Sequence, residues 1–195
     1  YTGWVGALGA NPSMNGAELG KIICDTYMEG CLREGTERSA TLSLVDLGKL
    51  PVLNMTYNAL GLEAVVKVME NESFYAAYGR QAKSAENYMN SRSEGFTNMV
   101  DIGSLVRNLK WELPEFTQLM LDALDEAVIY KVSGPYRNPS GISCYYPFDG
   151  NSDGFKAMMD TGNVTSFLIL NGLQLGFLDT DKAISYLERI SDEIS

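Results

Sequence analysis

Hydrophobic and polar positions along the chain fall into blocks whose spacing predicts secondary structure. After Asn15, apolar side chains at Leu19, Ile22, Ile23 and Tyr27 recur at helical spacing, which predicts a helix over 16–33. Asn15 followed by Glu18 is a variant of the capping box, and Gly35 is a stop signal. Residues 40–47, Ala-Thr-Leu-Ser-Leu-Val-Asp-Leu, alternate as far as Leu44 and then turn apolar, as a largely buried strand does. Leu53, Tyr57, Leu60, Val65 and Val68 predict a second helix over 49–70, with Pro51 in its first turn. Phe74, Ala77, Tyr78, Ala85 and Tyr88 predict a third over 72–88.

Beyond it, the polar stretch Asn90–Gly95 reads as a loop, Asp101 as the cap of a short helix, and Pro114 as the start of another. Two apolar runs follow, 128–133 and 141–146. The turn-rich segment Gly-Pro-Tyr-Arg-Asn-Pro-Ser between them predicts a hairpin. Helices near 155–159 and over 181–194 close the chain. This is α/β content with few strands. The expected division is an α/β part over 1–110 and a smaller α+β part with the hairpin over 111–195. A single buried strand such as 40–47 needs a neighbour on each side, so a further segment is expected to supply one.

Charge narrows the partners. The 195 residues carry a formal charge of −10, which disfavours nucleic acid and anionic membranes and favours basic peptides or cations. The longest apolar stretch, 164–178, is interrupted by Asn171, Gly172, Gln174 and Gly176, so no membrane span is expected.

Catalytic chemistry is limited by what is missing. The sequence has no histidine, so neither a Ser-His-Asp triad nor a Cys-His dyad can form within it. Its three cysteines, Cys24, Cys31 and Cys144, read as small buried hydrophobes. The first two lie on one helix roughly 10 Å apart, beyond disulfide reach. No residue of the chain is assigned a catalytic role, and no organic cofactor is expected.

Residues 149–160, Asp-Gly-Asn-Ser-Asp-Gly-Phe-Lys-Ala-Met-Met-Asp, place oxygen ligands at positions 1, 3 and 5, glycine at 6 and a carboxylate at 12. This is EF-hand-type spacing, making Asp149, Asn151, Asp153 and Asp160 candidate calcium ligands. Lys156 at position 8, Asp in place of Glu at 12, and a strand leading in depart from that pattern. A polar strand-to-helix turn is the other reading. Tyr130, Tyr136, Tyr145 and Tyr146 could line an aromatic face or pack a hairpin. Asn54-Met55-Thr56 and Asn163-Val164-Thr165 fit the glycosylation sequon.

Three blocks carry a family likeness. They are Tyr1-Thr2-Gly3-Trp4 through Gly16 with the strand 40–47 and Lys49-Leu50; Asn98-Met99-Val100-Asp101-Ile102-Gly103-Ser104-Leu105; and Ser140-Gly141-Ile142-Ser143-Cys144-Tyr145-Tyr146-Pro147. Together they resemble the clostripain-like cysteine peptidases, in the stretch downstream of the nucleophilic cysteine. The resemblance implies a caspase-like, mainly parallel sheet with flanking helices. It also implies a secreted or cell-surface bacterial endopeptidase that cleaves after Arg or Lys. The family's His, Cys and neighbouring acid would belong to sequence before Tyr1, and calcium dependence is a trait of clostripain itself. Tyr1 and Trp4 are the candidate substrate-flanking residues under this reading, with packing as the other role open to them. The alternative is a non-catalytic extracellular binding module stabilised by calcium.

Overall fold

The computed structural model describes residues 2–88, 97–162 and 164–194. Helices predominate: α1 (Thr2–Ala10), α2 (Gly16–Glu34), α3 (Leu50–Glu70), α4 (Glu72–Ser84), α5 (Ile102–Arg107), α6 (Pro114–Ala127), α7 (Ser152–Asp160), α8 (Ser166–Gln174) and α9 (Thr180–Ile194). The strands β1 (Thr41–Val45), β2 (Met99–Asp101), β3 (Val128–Ser133) and β4 (Ser143–Tyr145) complete an α/β chain.

The strands bear out the α/β content and correct the hairpin. Among the described residues they form two antiparallel pairs, β1 with β3 and β2 with β4, rather than a mainly parallel sheet. The 128–133 and 141–146 runs do not form a hairpin with each other. The connector between them is bound elsewhere: Gly134 N–H donates to the Ala40 carbonyl at 2.9 Å, and Arg137 donates to Glu86 at 2.9 Å. Those bonds turn β4 away to meet β2. The β1–β3 pair joins the first 110 residues to the remainder, with Thr41 opposite Ser133 and Leu44 opposite Tyr130.

Local chemistry explains the helix ends. Asn15 and Glu18 make the reciprocal capping box, each bond 3.0 Å, and Gly35 closes α2 at φ 69° in the left-handed region. α4 stops at Ser84, short of Tyr88, because the chain beyond it enters sheet-like pairing. There Asp101 N–H donates to the Glu86 carbonyl at 2.8 Å, and Asn87 bridges Val100. α1 has no counterpart in the sequence reading. Glycines at 3, 6 and 9 lower helix propensity and give no amphipathic signal, yet Gly3 lets α1 settle on α2 beside Thr26.

The β1–β3 pair packs on α2 along one face and reaches the main core at one end. Leu44 faces α2, where a Cβ on Gly20 would come within 2.5 Å of it. Val45 and Val128 face the main core built from α3, α5, α6 and α8. That core draws on both sides of residue 110, from Leu60 and Val106 to Met120 and Ile169. α8 crosses α3 closely at Gly61, where a Cβ would meet Ser166 Oγ at 2.2 Å. Tyr57 stacks on Phe167 at 4.3 Å, and Asn58 accepts from Ser166 N–H at 2.9 Å. The apolar 164–178 stretch is therefore a buried helix in its first half, satisfied by α3.

Candidate functional site

The three resemblance blocks, far apart in sequence, meet at one junction. Asp101, at the end of β2, is fully buried. One oxygen caps α5, accepting from Ser104 N–H at 2.8 Å. The other accepts from Tyr88 Oη–H at 2.7 Å, Ser140 N–H at 2.6 Å and Ser140 Oγ–H at 2.9 Å. Ser140 Oγ accepts in turn from Gly103 N–H at 3.0 Å. A Cβ at Gly103 would sit 2.5 Å from Ser140 Cβ, so glycine is what permits this approach. β1 joins through Ser43 Oγ–H, which donates to the Gly141 carbonyl at 2.5 Å.

A second line of bonds runs outward from the same point. Ser104 Oγ accepts from Glu86 N–H at 2.9 Å. The Glu86 carboxylate takes Arg137 Nη1–H, which also donates to the Asn87 carbonyl at 2.8 Å. This pair is mostly shielded, with side-chain exposures of 11% and 17%, where charge-assisted bonds hold geometry firmly.

Beside the junction, Thr41, Leu42, Ser43, Lys131 and Tyr88 line a cleft of about 210 Å³. It has hydroxyls and one ammonium, but no group free to act as a base. Burial, and then the bond to Asp101, push the Tyr88 phenol well above its ordinary range, so it stays a neutral donor. Both Asp101 oxygens are occupied by donors. The arrangement can hold three chain segments in register; proton transfer would require breaking it.

The cysteines are free, and Cys24 and Cys144 are poorly suited to attack. Burial pushes the Cys144 thiol up to about 11, and burial followed by the charge of Asp25 raises that of Cys24. A nucleophilic cysteine needs the opposite shift.

Of the two candidate substrate-flanking residues, Tyr1 lies outside the described residues. Trp4 is half-buried on α1, where it lines a groove of about 460 Å³ with Ile23, Thr26, Tyr27 and Leu42. This groove lies on the α2 side of β1, opposite the Ser43 cleft.

The 149–160 segment folds as a helix entry. Asp149 accepts from Asn151 N–H at 3.0 Å and from Asn98 Nδ2–H at 2.8 Å, bonds that hold its carboxyl below the usual range. Asn151 is the N-cap of α7, its oxygen accepting from Asp153 N–H at 3.1 Å and Gly154 N–H at 2.9 Å. Asp160 ends α7, about 10 Å along the axis from Asp153. In an EF-hand-type loop these residues surround one ion; here helix begins at Ser152 and draws Asp160 away. Among the described residues, no group of three or more His, Cys, Asp or Glu could hold a metal ion.

The tyrosines separate. Tyr146 is buried, donating to Gln174 at 2.6 Å, whereas Tyr130 lies under Lys21 and donates to Asp25 at 2.6 Å. Tyr136 is exposed, with Arg38 over its ring.

No family model, curated protein or solved structure matches the chain. Among the described residues no helix is long and apolar enough to cross a membrane.

From the sequence, Asp101 reads as a helix cap only. Its second oxygen serves Ser140, 39 residues away, and no local pattern encodes that. The available signal was that both residues sit inside resemblance blocks.

Proposed function

We propose that this chain is the portion of a secreted bacterial clostripain-like cysteine endopeptidase downstream of the catalytic cysteine. The reaction is hydrolysis of peptide bonds after Arg or Lys, with the His-Cys dyad and the acidic pocket supplied by the upstream portion of the same protein. There the histidine activates the thiol, which attacks the scissile carbonyl. The present residues form a scaffold: they fix β1 and present the α1 groove with Trp4 beside it.

The observation that carries this reading is the convergence of the three resemblance blocks at the Ser43–Gly141 and Asp101–Ser140 bonds. β1 adds support. Among the described residues it has β3 on one edge only, and α2 covers one face of the pair. In the proposed parent, an upstream strand occupies the other edge and extends the sheet in caspase-like fashion.

The test is a peptidase assay of the whole parent protein with an Arg-containing substrate, beside the same assay on this chain. Activity in the parent, abolished by an alkylating reagent, with none in the chain, is the expected result. A gene encoding no His and Cys upstream, or hydrolysis by the chain by itself, overturns the reading.

A further inference from the structure

The helix α3 is apolar on two opposite sides. Leu53, Tyr57, Leu60, Ala64 and Val68 are buried in the core. On the far side, Val52, Met55, Ala59, Leu62, Val66 and Met69 follow alternating steps of three and four residues without a break. At about 100° per residue, this outward row is centred roughly 170° from the buried one. Val52 and Met55 are each 50% exposed, Val66 45% and Met69 37%; Ala59 and Leu62 are half-buried.

A 3-4 apolar repeat is the seam pattern of paired helices. A helix apolar on two opposite faces belongs between two partners rather than at a water interface. The contiguity of the row separates it from the scattered apolar residues that any surface carries.

Charge and size indicate what covers it. Glu63, Lys67 and Glu70 flank one side of the row, leaving a net negative border on a chain of charge −10. A second copy would bring the same border and the same net charge to the contact. Six seam residues also fall short of the ~20–30 per side found in a stable standard interface. One helix laid along the row, with anchors at i, i+3 and i+7, fits both facts.

We propose that the outward row of α3 is a docking seam for one amphipathic helix of a partner polypeptide. That helix is apolar along its own seam and carries Lys or Arg where it meets Glu63 and Glu70. The seam is independent of whether the parent is a peptidase.

Fluorescence anisotropy with three labelled helices of about 21 residues, six turns each, tests it. One has Leu on its seam and Lys on its flanks, the second has Glu on its flanks, and the third is the first with its order scrambled. The Lys-flanked helix should bind at least tenfold more tightly than the other two. Val66→Glu should weaken it at least tenfold. Its position is exposed, so circular dichroism should show the fold retained. Glu63→Lys with Glu70→Lys should reverse the preference toward the Glu-flanked helix, an outcome that loss of folding could not produce. Equal binding of the scrambled helix, or no change on Val66→Glu, overturns the proposal. So does a concentration-dependent dimer of the chain that Val66→Glu abolishes, since the occupant is then a second copy.

Discussion

Ser140 gives both its amide and its hydroxyl to one oxygen of Asp101, at 2.6 and 2.9 Å, across a junction where no cation pairs with the carboxylate among the described ion pairs. The donors are all neutral, so the carboxylate is held by dipoles. Asp101→Ala strands a buried amide, a phenol and the α5 cap together, and should lower unfolding free energy by about 3 kcal/mol or more. Ser140→Ala keeps the amide bond but strands the Gly103 N–H, and should lose about 2 kcal/mol. Equal losses in urea titrations of the two variants would contradict this ordering.

The edge of β1 turned away from β3 makes a sharper contrast. Gly134 N–H bonds to the Ala40 carbonyl, and Leu42 lies opposite Val132. Alternation along an antiparallel pair therefore turns the Leu42 and Leu44 amides toward β3, and those of Thr41 and Ser43 outward. Thr41→Pro should leave the chain's melting midpoint within a few degrees of wild type, whereas Leu42→Pro removes a ladder bond and should cost about 3 kcal/mol. In the proposed parent, Thr41→Pro should also weaken assembly with the upstream portion. Amide exchange by NMR checks the same geometry: fast at Thr41 and Ser43, slow at Leu42 and Leu44.

The thiol of Cys144 titrates in the alkaline direction. Its folded value is raised to about 11 from an ordinary 9.0, so the folded state holds the proton more tightly than the unfolded chain. That contribution to stability is complete below about pH 9 and is lost as pH rises toward 11. Native protein at pH 8 should react with a disulfide reagent more slowly at Cys144 than the unfolded protein, which reacts at all three cysteines. Cys144 is half-buried, and native labelling of it as fast as in the unfolded chain would rule out the raised thiol.

At the α7 entry, Asn151→Ala should lower stability by about 1 kcal/mol through loss of two capping bonds. Calcium in excess over chelator should leave the melting midpoint of the chain unchanged, because Asn151 is committed to the helix and Asp160 lies a helix length away. A calcium-dependent rise lost on Asp149→Ala would show that the loop rearranges around an ion.

Residues close in sequence were legible where one pattern answered one question. The α2 capping box, the start of α3 with Pro51 in its first turn, the β1 run and the Asp101 cap all appear where spacing placed them. The helix starts among them are fixed within four or five residues by local bonds, whereas β1 shows in its apolar run and is held by the distant β3. α1 escaped because three glycines erase the amphipathic signal. The hairpin failed because turn residues mark where a chain bends and leave open which strand it meets next.

The sequence by itself determined the negative result that matters most, that no histidine is present to activate a thiol, and it determined most helix boundaries through local capping and periodicity. Tertiary structure decided the rest: which strands pair, that Asp101 holds Ser140 from 39 residues away, that α8 is buried against α3, and that one apolar row of α3 faces outward. The physical reason is that side-chain periodicity tells which faces are apolar. Only packing tells which of those faces finds a partner.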